Sequence, residues 1–101
     1  MYRGTTPTFT IRTNFNPLSC QQIWLTFQQP YAEVTKEMES LKLTEDTISV
    51  TLTQEETLEF EHHSYVLIQI RGLNFDGMAF ATKPVKHYVE GVLKGGVIGA
   101  E

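Results

Sequence analysis

The sequence predicts an all-β fold, a two-layer antiparallel sandwich of immunoglobulin-like or jelly-roll-like kind, with one short helical turn near residues 54–59. Apolar and polar residues alternate in several short stretches, as strands buried on one face require. Turn-forming residues separate these stretches at intervals of about 8 to 12 residues, a spacing typical of sandwiches. The length of 101 residues suits one domain. We therefore assign residues 1–90 to the sandwich and residues 91–101 to a tail.

The first predicted strand lies near the start of the chain. Phe9 and Ile11 alternate with Thr8, Thr10 and Arg12, which places the two apolar side chains on one face. After it, Asn16 and Pro17 indicate either a single helical turn with proline in its first position or a plain β-turn.

Residues 22–28 form the second predicted strand and carry the only tryptophan. Ile23, Leu25 and Phe27 share one face, and Trp24 lies on the other. We therefore expect Trp24 on the outer surface, where a large apolar group needs a cover. That cover is either a segment of the same chain or a partner.

Three further stretches alternate in the same way, and each is predicted to place its apolar residues inward. The stretch over residues 65–73 is rich in aliphatic residues and is expected to lie centrally in its sheet. The predicted inward residues are Val34 and Met38, then Ile48, Val50 and Leu52, then Val66, Ile68 and Ile70.

Turn and capping motifs delimit these strands. Asp76 and Gly77 predict a tight hairpin of type I′ between residues 65–75 and 78–83. Pro84 interrupts the next ladder because it lacks an N–H donor. Thr53 and Glu56 have the spacing of a capping box, so a short helical turn is expected to follow.

The composition argues against several partner classes. Eight basic and twelve acidic residues give a net charge of −4, with no basic cluster, so we expect no nucleic acid partner. No apolar run approaches the roughly 20 residues that span a bilayer, and the start lacks a signal pattern. We expect a protein that is cytoplasmic when synthesised and has no membrane partner.

Cys20 is the only cysteine and is expected to be a small buried apolar residue.

The sequence predicts no catalytic residue, no metal site and no cofactor. His62, His63 and His87 lack the spacing of a metal-ligand set, and the first two are expected in a solvated turn. No motif places a nucleophile beside a base. We therefore predict a protein that is not an enzyme.

After Trp24, the tail is the second feature that favours protein contacts. It contains four glycines and four larger apolar residues, so it is either docked or partly mobile. Its apolar side chains gain most by lying on a preformed apolar surface, on this chain or on a neighbour. The candidate interface is therefore Trp24, Val92, Leu93, Val97 and Ile98.

Four segments resemble one group of proteins: RGTTPTFTI (residues 3–11), LTQEETLEF (52–60), VLIQIR (66–71) and VEGVLKGGVI (89–98). The chain resembles the small structural proteins, about 100 residues long, encoded among the tail and baseplate genes of prophages in Gram-positive bacteria. The group is similar to the amino-terminal domains of baseplate upper proteins. The resemblance implies virion association and an assembly role, with other phage structural proteins or a second copy as partner in a homo-oligomer. It implies no particular binding residue. The alternative is a carbohydrate-binding module used in host adsorption.

Overall fold

The computed structural model describes residues 1–99 and is an all-β, two-layer antiparallel sandwich. A three-stranded sheet packs on a five-stranded sheet. In chain order the strands are β1 (Thr8–Arg12), β2 (Cys20–Gln29), β3 (Ala32–Glu37), β4 (Lys42–Leu43), β5 (Thr47–Thr51), β6 (Ser64–Asn74), β7 (Ala79–Ala81) and β8 (Val85–Val89). No helix within residues 1–99 is both long and apolar enough to cross a bilayer.

Of the two predicted kinds of sandwich, the strand order is that of the immunoglobulin-like kind. The small sheet has the order β1-β5-β4, and the large sheet has the order β3-β2-β6, with both β7 and β8 paired to the far side of β6. In an immunoglobulin-type sandwich these are the sheets B-E-D and C′-C-F-G, with β7 and β8 together taking the place of strand G. Within residues 1–99 no strand occupies the position of strand A, which pairs with the outer edge of strand B.

The buried core confirms the predicted alternation. The inward residues of β2, β5 and β6 are at most 9% exposed, and β6 is central in its sheet as predicted. Cys20 is also buried, and burial raises the pKa of its thiol. The core consists of Cys20, Ile23, Leu25, Phe27, Val34, Ile48, Val50, Leu52, Phe60, Val66, Ile68, Ile70 and Val89.

The predicted hairpin between β6 and β7 forms, but with a different turn. The N–H of Gly77 donates to the carbonyl of Asn74, and the N–H of Asn74 donates to the carbonyl of Met78. Gly77 has φ of +82°, whereas a type I′ turn also requires positive φ at the residue before it, and Asp76 does not have it. The loop is therefore a turn followed by a left-handed glycine, as in three-residue hairpins with a bulge. The side chain of Asn74 stabilises it by accepting from the N–H groups of Asp76 and Met78.

Residues 82–84 break the edge strand into β7 and β8. The Thr82 hydroxyl oxygen accepts from the Ile70 N–H, so a side chain replaces one ladder bond there. Pro84 then keeps the edge from continuing as one strand. Within β7, the ring of Phe80 covers Gly72 of the neighbouring strand so closely that a Cβ on Gly72 would lie 2.4 Å from its Cζ.

Short helical segments mark two of the connections. The first is a 3₁₀ turn, Pro17–Ser19, with the Asn16 side chain accepting from the Leu18 N–H, so the helical alternative at this site is correct. The second, Met38–Ser40, ends β3 one residue before Met38, which nevertheless packs against the core. These turns do not alter the predicted faces.

The predicted helical turn is α1 (Gln54–Leu58), and it closes one end of the sandwich. The capping box forms in both directions between Thr53 and Glu56. Thr57, fully buried, donates its hydroxyl to the Thr5 carbonyl, and Arg3 donates to the Leu58 carbonyl. We refer to these contacts, with those described next, as the α1 end.

Two side chains of the large sheet, those of Lys36 and Gln29, connect it to the α1 end. Lys36 of β3 forms an ion pair with Glu56 at 2.7 Å. Burial, the largest influence on Glu56, acts to raise its pKa, but the hydrogen bonds from Lys36 and Thr53 and the charge of Lys36 together lower it. Gln29 both donates to the Glu61 carbonyl and accepts from its N–H. The buried amide of Gln29 is therefore satisfied on both sides.

Candidate functional site

An open cleft of about 500 Å³ lies between the two sheets, between β1 on one side and β8 on the other. The small sheet ends at β1, whereas the large sheet continues past β6 to β7 and β8. The inner face of the large sheet is therefore uncovered at this edge. The cleft is lined by Phe9, Thr10, Ile11, Arg12, Thr13, Asn14, Phe15, Ile68, Ile70, Thr82, Lys83, Val85 and His87.

Val85 shows that the small sheet does not cover this edge of the large sheet. It pairs with Ile68 and therefore lies on the inner face of the large sheet, yet it is 62% exposed, against 9% for Ile68. An inner-face valine of a sandwich normally packs against the opposite sheet. The cleft thus presents core-type apolar surface to solvent, with Phe9, Ile11 and Phe15 along the opposite wall.

Aromatic contacts hold the walls of the cleft in place. The Phe9 ring lies 5.2 Å from Phe27 and 5.0 Å from the His87 ring, which it meets edge to face. Phe15 meets Phe80 edge to face at 4.8 Å. Such pairs stabilise beyond their buried area, so the cleft is preformed rather than dependent on an occupant.

The edge of β1 that faces the cleft carries unpaired backbone groups. Thr13 donates to the Asp46 carbonyl and Leu52 donates to the Pro7 carbonyl, in the same register that pairs Phe9 with Val50. Hydrogen-bonded pairs in an antiparallel ladder alternate. The odd-numbered residues of β1 therefore bond to β5. The N–H and C=O groups of the even-numbered ones, Thr8, Thr10 and Arg12, point away from the ladder.

The charged residues of the cleft are basic. Arg12 and Lys83 line it, both are exposed, and no carboxylate is among its lining residues within the part of the chain that the structure describes. Burial lowers the pKa of His87, the nearby α-ammonium group of Met1 lowers it further, and Glu90 acts against them. His87 is therefore neutral at pH 7, and the positive charge comes from Arg12 and Lys83.

Trp24 lies on the outer face of the large sheet, as the alternation predicts. Its cross-strand neighbours are Glu37 on β3 and Arg71 on β6, and it is partly exposed between these long side chains. It borders two shallow depressions, one toward Met38 and one toward Leu73. Its cover therefore comes from neighbouring strands.

The described part of the tail lies at a different place, against the α1 end. The Gln54 side chain accepts from the N–H of Ile98 and donates to its carbonyl. Ala100 and Glu101, the last residues of the predicted tail, lie outside the described residues. The tail side chains of the candidate interface are exposed, at 42% for Val92, 108% for Leu93, 39% for Val97 and 56% for Ile98.

The structure does not bring the candidate interface together as one site. The residues lining the two depressions beside Trp24 come from β2, β3, β6, β7 and the segment after β3, and none belongs to the tail. The partly exposed Trp24 and the exposed tail are therefore two separate features of residues 1–99.

Sequence reasoning missed the cleft. The alternation around Phe9 and Ile11 correctly indicated the inward face of β1, and in β8 the side chains of Val85 and His87 likewise share one face. It did not indicate that the two strands lie at facing sheet edges with nothing between them. The sequence carries no signal for this, because the number of strands in each sheet, three against five, follows from pairings between residues distant in the chain.

The histidines and acidic residues form no metal centre in residues 1–99, where no group of three potential ligands is brought together. His62 and His63 are exposed in the turn before β6, with their rings 4.6 Å apart and edge to face. His63 has a left-handed backbone, with φ of 56°, and its Nδ1 lies 3.2 Å from the Tyr88 hydroxyl.

Comparisons of the chain with known protein families, with curated protein sequences and with solved structures find no match.

Proposed function

We propose that this chain is a non-enzymatic structural or assembly protein of a phage or prophage particle, associated with the tail or baseplate, that acts through protein–protein contacts. The observation that carries the proposal is the open cleft between β1 and β8. It presents core-type apolar surface beside an unpaired strand edge. Proteins that stay monomeric normally protect such an edge, whereas β1 has one charged side chain, Arg12, but no proline and no covering strand within residues 1–99.

The rest of the surface supports the same function. Large apolar side chains are exposed at two hairpin tips, with Tyr31 at 96% between β2 and β3 and Phe75 at 71% between β6 and β7. Isolated exposed apolar residues are common, but aromatic residues are enriched in interfaces. The resemblance of four segments to small prophage tail proteins supports a phage particle as the assembly.

The test is copurification with particles. The prophage of the strain that carries the gene is induced, particles are banded in a density gradient, and the chain is quantified by mass spectrometry across the gradient. We expect a constant ratio of this chain to the major tail protein across the particle band. A chain found only in the soluble fractions contradicts the proposal.

The candidate interface has its own test in solution. Deleting residues 91–101 and, separately, Trp24→Ser are expected to weaken self-association or partner binding in light scattering while the far-UV circular dichroism is unchanged. Because the two features lie apart, each variant is expected to act alone. Unfolding of either variant would assign that feature to the stability of the domain instead.

A carbohydrate-binding module is the second candidate, and one observation favours it. Trp24 borders a depression that also contains Gln22, Thr26, Thr35 and Arg71, so an aromatic ring lies beside hydrogen-bonding groups.

No tyrosine lines that depression. Tyr65 is on the same face of β6 but six residues from Arg71, which is about 20 Å along a strand. Titration with fragments of the host cell-wall polysaccharide distinguishes the two functions. Saturable binding lost in Trp24→Ser, and retained in the matched outer-face variant Leu67→Ser, favours the sugar module.

A further inference from the structure

We infer that the cleft takes up an extended segment of another protein, which adds to β1 as a further strand and carries alternating apolar residues with a carboxylate at the end beside Arg12. The inference rests on the proposed function in one respect: both require the chain to act by contacting another protein. It names the mode of contact and the chemistry of the partner.

The strand order defines where the segment lies. Residues 1–99 provide the B-E-D and C′-C-F-G sheets of an immunoglobulin-type sandwich and leave the position of strand A empty. That position is beside β1, at the edge that faces the cleft. A strand added there widens the small sheet over the exposed side chain of Val85.

The backbone groups favour β1 over β8 as the template. β1 is uninterrupted over its 5 residues, and Thr8, Thr10 and Arg12 point their N–H and C=O groups to the open edge. The opposite edge is interrupted at Pro84. Farther along that edge, Met1 and Arg3 already bond to Tyr88 and Glu90.

The cleft also specifies the side chains of the segment. Successive residues of a strand point to opposite faces, so a five-residue addition, about 17 Å long, turns two or three side chains into the cleft. There they meet Ile11, Ile70 and Val85, which are apolar. The alternate residues point to solvent beside Thr8 and Thr10, so they are expected to be polar.

Charge specifies a carboxylate at the end of the segment near Arg12 and Lys83, and strand pairing argues for a partner over a second copy. Arg12 and Lys83 lie at the cleft with no carboxylate lining it in the described chain. An acidic segment is therefore attracted and a basic one repelled. The described strands of this chain with alternating apolar residues are already paired within its own sheets, so the segment comes from another chain type.

The probe is a synthetic peptide, fluorescein-labelled DTVTITVTD, with KTVTITVTK as the charge-reversed control. Fluorescence anisotropy at low and physiological salt measures its affinity for the full chain. We expect saturable binding of the acidic peptide, at least fivefold tighter than that of the basic one, with the difference shrinking as salt rises.

The decisive variants are Thr10→Pro and its matched control Thr10→Ala. Thr10 points its N–H to the open edge, so proline there removes no bond to β5 but blocks a new strand. Both variants lose the hydroxyl contact to Ser49, which lies 3.0 Å away. We expect Thr10→Pro to weaken peptide binding at least tenfold and Thr10→Ala to change it less than twofold.

A second pair keeps the result clear if Thr10→Pro disturbs folding. Val85 and Leu67 are both exposed, at 62% and 40%, but lie on opposite faces of the large sheet. We expect Val85→Ser to weaken binding severalfold and Leu67→Ser to leave it unchanged. Equal affinities within both pairs, or no peptide binding by the wild type, overturn strand addition.

Two more outcomes separate the inference from the proposed function. Self-association of the wild type that Thr10→Pro abolishes makes a second copy the occupant and overturns the partner assigned here. Particles that contain the chain and incorporate Thr10→Pro normally uphold the function and overturn the inference. If the chain is absent from particles but binds the peptide, and Thr10→Pro abolishes that binding, the inference is upheld and the proposed function is overturned.

Discussion

The α1 end and the β1–β8 cleft are two boundaries of the same core, and they are built in opposite ways. At the α1 end, most buried polar side chains are hydrogen-bonded to specific partners, as with Thr57 to Thr5 and Gln29 to Glu61, and the Nε atom of Arg3 is the exception within the described residues. At the cleft, apolar side chains such as Val85 are left in contact with solvent. Contacts of the first kind stabilise this domain by itself, whereas those of the second gain most when another molecule covers them.

The largest expected effect is at the closed boundary. Phe60, the residue that anchors the segment after α1, is fully buried. Phe60→Ala is expected to lower the free energy of unfolding by about 3 to 5 kcal/mol, because it removes a buried ring and leaves a cavity. Urea denaturation measures this. Phe15→Ala at the partly exposed cleft wall is the control, and an equal loss there would remove the contrast between the boundaries.

The helix cap gives the next effect. Thr53→Ala removes the acceptor for the Glu56 N–H and is expected to cost about 1 kcal/mol. Thr6→Ala, in the exposed segment before β1, serves as the reference and is expected to change little. Equal denaturation midpoints for the two variants would mean that the cap does not hold the α1 end.

Acid is expected to weaken the α1 end further. The pKa of Glu56 is lowered in the folded protein from its ordinary value of 4.5, so the unfolded chain binds this proton more readily. The stabilisation is therefore present above about pH 4.5 and is lost as the pH falls through the folded pKa. Urea denaturation of wild type and Glu56→Gln between pH 7 and pH 3 measures it. The two stability curves are expected to converge in acid, and parallel curves would contradict the assignment.

The smallest stability effect is expected at the cleft. Val85→Ser replaces a largely exposed residue, so the free energy of unfolding is expected to change by no more than about 0.5 kcal/mol. A loss comparable to that of Phe60→Ala would mean that Val85 belongs to the core of the isolated domain. A small loss together with weaker peptide binding sharpens the division between stability and recognition.

The sequence was sufficient for the local features of the fold and insufficient for the site. Alternation assigned the faces of Ile23, Ile48 and Ile68, because the period of a strand depends only on neighbours in the chain. The capping box was likewise readable from Thr53 and Glu56 alone.

Features that depend on partners distant in the chain were not readable. The cleft exists because β1 and β8 are both edge strands, which follows from pairings between residues far apart in sequence. The turn type at Gly77 was missed because Asp76 tolerates positive φ but does not adopt it here. Trp24 was correctly placed outward, but its flanking by Glu37 and Arg71 depended on register.

Gly72 and Phe80 constrain how this sequence can evolve. Glycine ordinarily weakens a strand, so replacement by alanine there is usually harmless or favourable. Here an added Cβ would meet the Phe80 ring at 2.4 Å, and that ring packs against Phe15 at the cleft. Among related sequences, a larger residue at position 72 is therefore expected only together with a smaller residue at position 80. The packing of Phe15 in the cleft wall therefore depends, through Phe80, on a glycine that does not itself line the cleft.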